Sequence, residues 1–288
     1  MTHPSVPPTP PPHPGDGTVC VRHPDRVTGL SCTRCGRPSC PECLRSGAVG
    51  AQCVDCVAQG GREVRRATTV AGAEPLDRSI VVPVLIALNV AVFGWTVLQA
   101  GSVSNNADSD LFDAWALAPF LVTDGDWWRL VTSGFLHIGP IHLLFNMWAL
   151  WVLGRDLEKV LGRGRFTALY VVSLLGGAAS VMLFSDPMTA TAGASGAVFG
   201  LMGGLAIVLR RLKAPVGQVI GLIAVNLVIS VVVPNISIAG HLGGLVVGAG
   251  ATVALVYAPV TNRVRVQAAA LIGITVTVLA ATALAAYT

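Results

Sequence analysis

Charge is scarce in this chain. Asp, Glu, Lys and Arg make up 12% of its 288 residues, whereas 53% are hydrophobic. Soluble domains carry about 25% charged residues. The shortage argues against a water-soluble globule and for a membrane protein. Cysteine is missing from the apolar body, because all seven lie between residues 20 and 56. A clustered basic face is also missing. The Lys and Arg groups merely flank apolar segments, so a pI near 8.8 does not point to a nucleic-acid partner. The first 18 residues, MTHPSVPPTPPPHPGDGT, lack the apolar core of a secretory signal and read as a disordered Pro-rich tail. No internal repeat is visible. The apolar runs do not alternate as the strands of a lipid-facing barrel would.

What is present falls into successive parts. Residues 1–18 are the tail, 19–57 a cysteine-rich module and 58–79 a polar linker. A membrane-embedded core follows over 80–257, and 258–288 hold a loop and a last apolar span. Seven spans are expected, at about 80–99, 138–154, 166–184, 194–210, 216–233, 238–257 and 267–286. Each is near the roughly 20 residues that cross a bilayer core. Helices are required, since lipid offers the backbone no hydrogen-bond partner. The expected class is therefore an all-α polytopic membrane protein preceded by a small zinc-binding module. With the N-terminus in the cytoplasm, every Lys and Arg except Arg129 falls on the inner side. The positive-inside rule thus places the cysteine module in the cytoplasm and the C-terminus outside.

The cysteine spacing is Cys20-x2-His23, Cys32-x2-Cys35, Cys40-x2-Cys43 and Cys53-x2-Cys56. A cytoplasmic setting disfavours disulfides. A two-residue gap lets both members of a pair reach one tetrahedral zinc. Eight ligands suit two structural zinc ions. An interleaved arrangement sets Cys20, His23, Cys40 and Cys43 on one ion and Cys32, Cys35, Cys53 and Cys56 on the other; sequential pairing is the alternative. The segment resembles a cross-braced B-box zinc finger. About 38 residues make little core, so metal would hold the fold. No ligand set leaves an open position, which favours structure or binding of a cytosolic partner over zinc catalysis.

Polar residues inside apolar spans are expensive and mark function. His142 and Asn146 lie in the second span, Ser195 begins the fourth and His241 begins the sixth. All three spans run from outside to inside, which sets these residues at one depth near the outer face. Gly196, Gly200 and Gly204 are four apart, as are Gly240, Gly244 and Gly248. Two such faces allow close helix approach, bringing Ser195 to His241. Serine beside histidine is the core of nucleophilic acyl transfer. With no Asp or Glu at this depth, a dyad is expected. His142 and Asn146 share a helix face and could donate to an oxyanion, as could the Ser195 backbone N–H.

With these residues the chain resembles the rhomboid family of intramembrane serine proteases over about residues 78–257. GASG at 193–196, GHLGGLVVG at 240–248, HLLFN at 142–146, WWR at 127–129 and GRDLEKVLG at 154–162 carry the resemblance. It implies a six-helix core plus one C-terminal transmembrane helix, the 6+1 form. It also implies Ser195 as nucleophile, His241 as base, and His142 and Asn146 as oxyanion donors. Arg129 and Glu158 are structural by the same comparison. His137 matches a further first-loop histidine and is not counted as catalytic. No cofactor is implied for catalysis. The implied partners are the lipid bilayer and membrane-protein substrates with a cleavable transmembrane segment, with the fifth span as a lateral gate. A transporter using the same polar residues, or a non-catalytic membrane-protein binder, are the rival classes.

Overall fold

The computed structural model describes residues 18–64, 67–234 and 236–287, so the tail lies outside it apart from Thr18. The chain divides into two compact units after residue 66.

The first unit is built from short pairs. Strand β1 (Val19–Cys20) lies antiparallel to β2 (His23–Val27). Strand β3 (Leu44–Gly47) pairs with β4 (Gly50–Cys53), with Leu44 opposite Cys53. Gly50 closes that hairpin at φ +110°, a conformation L residues rarely adopt, and a side chain there would run into Thr33. Helix α1 (Val54–Glu63) then starts on Cys53, whose sulfur accepts the Cys56 N–H, and continues into the segment expected to be linker. The buried apolar clusters here consist of cysteines, in two groups. The described residues of this unit have no other buried apolar core, so its interior is organised around the two sulfur clusters.

The second unit is helical. Helix α2 (Val81–Ala100) is followed by a long loop with short helices α3 (Asp110–Trp115), α4 (Pro119–Thr123) and α5 (Arg129–Thr132). Then come α6 (Gly139–Leu161), α7 (Arg163–Phe184), α8 (Ser195–Arg211), α9 (Gly217–Val232), α10 (Ile238–Tyr257) and α11 (Arg263–Tyr287). The seven long helices stand on the seven expected spans. The second runs two turns further than its apolar pattern, because Leu157, Glu158 and Leu161 are buried there. By length and composition four described helices can cross a membrane: α2, α7, α10, and α11 with the turn before it. The segment from α5 bends 95° into α6 and makes a fifth candidate. Helices α8 and α9, with 17 and 16 residues, fall short of the full span.

Helix α7 is the centre of this unit: 72% of its apolar window is buried, against 11% for α11. Its small residues make that possible. A Cβ on Gly177 would stand 2.9 Å from the Gly240 carbonyl oxygen, and one on Gly176 would strike Val247. Helices α8 and α10 meet in the same way. A Cβ on Gly248 would lie 2.6 Å from the Gly200 oxygen, and one on Gly200 2.9 Å from the Gly244 oxygen. The two rows of glycines face each other, with Ser173 of α7 wedged beside Gly200 and Gly248.

Two polar clamps complete the frame. The N-cap of α2, Ile80, has no capping side chain of its own. The Glu158 carboxylate caps it from α6, accepting the N–H groups of Ile80, Val81 and Val82 at 2.8–3.1 Å and the Ser79 hydroxyl. An anion at a helix N-terminus meets unpaired donors and the positive dipole end. In the loop, buried Arg129 donates to the carbonyls of Asp113 and Ala116 and to the Asp126 carboxylate.

Candidate active site

Ser195 is the first residue of α8, and the chain reaches it through Gly193 at φ +135°. Only glycine takes that conformation without strain. It is also the only side-chain size that fits, since a Cβ there would be 2.9 Å from His142 Nε2. The Gly193 N–H is held by the Ser133 carbonyl at 2.9 Å. No side chain caps α8, so its first N–H groups, that of Ser195 included, are left for another acceptor.

His241 sits one turn into α10, behind the Ser237 cap. Its Nε2 is 2.8 Å from Ser195 Oγ. Phe199, one turn along α8 from Ser195, stacks on the imidazole at 4.1 Å and 16°. The close approach of α8 and α10 at their glycines is what allows this pair to meet.

His142 sits one turn into α6. Its Nδ1 accepts the Ile138 backbone N–H at 3.2 Å, which leaves Nε2 as the protonated nitrogen of a neutral ring. That nitrogen is beside Gly193, within the space next to Ser195 Oγ. Asn146 is buried one turn deeper and uses one amide hydrogen on the His142 carbonyl at 3.0 Å. His137 is fully buried, with neither ring nitrogen hydrogen-bonded, and packs edge-on to His142 at 5.0 Å. The turn between them is fixed by buried Asn106, which donates to the His137 carbonyl at 2.7 Å and accepts the Gly139 N–H at 2.8 Å.

The structure therefore gathers Ser195, His241 and His142 around one point and sets Asn146 below it. Such a grouping can take a proton from a hydroxyl and stabilise a nearby oxyanion. Sequence reasoning missed Phe199, although its i+4 spacing from Ser195 was a usable signal. It also missed Asn106, which has no local motif, and Ser230 of α9, whose hydroxyl lies 2.6 Å from His241 Nδ1.

The cysteine module has its own centres. Cys20, His23, Cys40 and Cys43 converge at one point and Cys32, Cys35, Cys53 and Cys56 at another, with ligand atoms within 4.8 Å of each other. The interleaved arrangement, left open against the sequential one by spacing alone, is the one present. Sulfurs 2.3 Å from a tetrahedral zinc stand about 3.8 Å apart; Cys35 and Cys53 are 3.8 Å apart. His23 Nδ1 lies 3.3–3.9 Å from the three sulfurs of its group. The Cys53 N–H on its sulfur holds the Cys32 thiol down at about 6, while hydrogen bonding to Cys35 pushes the Cys56 thiol up to about 12. Four crowded sulfurs cannot all ionise without a cation among them. The donor sets fit a dication each.

Comparison with known proteins follows the same lines. The Rhomboid domain model matches residues 124–258. Rhomboid protease GluP of Bacillus subtilis (strain 168) is 37% identical over 175 residues, covering 59% of this chain and 34% of GluP. Putative rhomboid protease YdcA of the same organism is 35% identical over 129 residues, covering 43% of this chain and 65% of YdcA. Rhomboid protease AarA of Providencia stuartii is 30% identical over 209 residues, covering 62% of this chain and 74% of AarA. The chain thus spans about a third of GluP and just under two thirds of YdcA.

Proposed function

The chain belongs to the rhomboid family and is a multi-pass membrane protein, and from that premise we propose that it is an intramembrane serine endopeptidase acting on membrane proteins. The observation that carries this reading is the 2.8 Å contact between Ser195 Oγ and His241 Nε2. His241 Nε2 takes the Ser195 hydroxyl proton as Oγ bonds to the scissile carbonyl carbon. The carbonyl oxygen becomes an oxyanion, which receives hydrogen bonds from His142 Nε2–H, the Ser195 backbone N–H and the free amide hydrogen of Asn146. Collapse breaks the C–N bond, and the imidazolium returns its proton to the leaving amine. Water then hydrolyses the Ser195 ester by the same route.

A helical substrate hides its carbonyls, so the scissile segment must unwind. Substrates with Gly, Ala or other helix-weakening residues near the outer boundary fit that need. Placing the N-terminus in the cytoplasm puts every Lys and Arg but Arg129 on the inner side, which supports that orientation and an external C-terminus. One donor set of three thiolates with an imidazole, and a second of four thiolates, support two structural zinc ions. They would hold residues 20–56 together and present the module to a cytosolic partner.

The test is a model transmembrane substrate in liposomes together with a fluorophosphonate probe. Wild type should cleave the substrate and be labelled. Ser195→Ala and His241→Ala should do neither while keeping their fold. Cleavage that survives in Ser195→Ala would sink the proposal.

A further inference from the structure

The base has a partner on each nitrogen, and the second partner is not a carboxylate. No Asp or Glu occurs after Asp186 in the sequence. His241 Nδ1 instead lies 2.6 Å from Ser230 Oγ, and both side chains are buried. Ser230 Oγ also lies 2.7 Å from the Asn226 carbonyl oxygen, one turn back in α9.

These distances assign the hydrogens. A carbonyl oxygen can only accept, so the single Ser230 hydroxyl hydrogen goes to Asn226. Ser230 Oγ must then accept, and its donor is His241 Nδ1–H. With the ring proton on Nδ1, Nε2 carries the lone pair and accepts from Ser195 O–H at 2.8 Å. The chain runs in one direction, from Ser195 through His241 and Ser230 to a backbone carbonyl. Each bond polarises the next.

We propose that Ser230 is the positioning residue for the base. Resting on the protease reading above, it holds His241 in the Nδ1–H tautomer and takes up part of the charge when Nε2 is protonated. A neutral hydroxyl backed by a carbonyl dipole does here what a buried carboxylate does in a three-membered triad. Phe199 fixes the plane of the ring from its face, and Ser230 fixes its rotation within that plane.

The location has a consequence. Of the sixteen residues of α9, only Val219 and Ser230 are buried. The base is thus oriented by a helix with little else buried, and only while that helix is seated. Outward movement of α9, the span expected to act as a gate, withdraws the Nδ1 acceptor.

The test uses the full chain in detergent, with Ser230→Thr and Ser230→Val as a matched pair. They share a shape and differ in the hydroxyl. Three quantities are read: the fluorophosphonate labelling rate of Ser195, kcat and KM on a transmembrane substrate, and the melting temperature. Loss of one neutral hydrogen bond to the base should slow labelling and kcat about 3- to 10-fold in Ser230→Val. KM and melting temperature should stay as in Ser230→Thr, which should label near the wild-type rate. Equal rates in the two variants, whether high or low, would overturn the role of the hydroxyl. If neither variant folds, Ser230→Ala with a wild-type melting temperature and wild-type labelling would overturn it equally. A wild-type chain that the probe does not label would instead refute the protease reading.

Discussion

Gly244 and Gly196 touch backbone to backbone: a methyl group on Gly244 would overlap the Gly196 carbonyl oxygen. The contact sits one residue from Ser195 and three from His241, so the distance between these two side chains is set by the absence of two others. Gly244→Ala must push α10 from α8. An ångström of misplacement can cost about a hundredfold in rate. We expect proteolysis in Gly244→Ala to fall by about that factor, with a lower melting temperature. Gly273→Ala is the control, because nothing lies within 4 Å of a Cβ there. It should gain about 0.5–1 kcal/mol from helix propensity alone and keep full activity.

Glu158 holds four donors at the start of α2. Glu158→Gln replaces one acceptor oxygen by an amide that faces N–H groups. The expected loss is about 2 kcal/mol or more, read as a lower melting temperature in detergent. Ser79→Ala removes one of the four donors, and its effect should be smaller. Equal stability of wild type and Glu158→Gln would refute the capping account.

His142 presents Nε2 to the space beside Ser195. Removal of one oxyanion donor costs about 10²–10³ in kcat. On the proposed role of His142 as an oxyanion donor, His142→Ala should show that loss with KM little changed. A change confined to KM would instead make His142 a substrate-binding residue.

Arg129 satisfies two carbonyls and a carboxylate in the loop before α6. Lys keeps the charge but lacks the planar fork. Arg129→Lys should leave the Asp126 pairing and lose the carbonyl contacts. Limited proteolysis should then cut between residues 101 and 138 faster than in wild type. Unchanged cleavage would remove Arg129 from the frame of the loop.

The cysteine clusters are the only buried apolar groups in the described part of their unit. Adding a chelator should therefore open residues 18–64 to trypsin, which finds Arg22, Arg26, Arg34, Arg45 and Arg62 there. Fluorophosphonate labelling of Ser195 should be unaffected. Acid should do the same as chelator. Protons compete with a metal for the thiolates and the imidazole, so the module should open as pH falls. Resistance to trypsin after complete metal removal would refute a metal-held fold.

Much of this protein is legible in order along the chain, because the signals are local. Apolar runs near bilayer length marked the seven long helices, since burial of backbone polar groups in lipid leaves few other choices. Two-residue gaps marked the Cys and His residues that gather into two clusters able to hold metal. Glycines four apart on two helices marked the faces that meet. The apolar pattern of α6 stops near residue 154 because RDLEKVL is polar in composition, yet its Leu157, Glu158 and Leu161 turn inward and the helix continues to Leu161.

The sequence by itself determined that the chain is helical and membrane-embedded, that its N-terminal module carries paired Cys and His residues able to hold metal, and that Ser195, His241 and His142 begin helices. Those properties depend on residues within a turn or two of each other. Only the tertiary structure decided which cysteine pairs share a centre, that Glu158 caps a helix more than 70 residues away, and that Ser230 stands behind His241. Each of these is a contact through space between separate elements. A lone serine in an apolar helix looks the same in sequence whether it merely bonds its own backbone or also holds the ring of a neighbouring histidine.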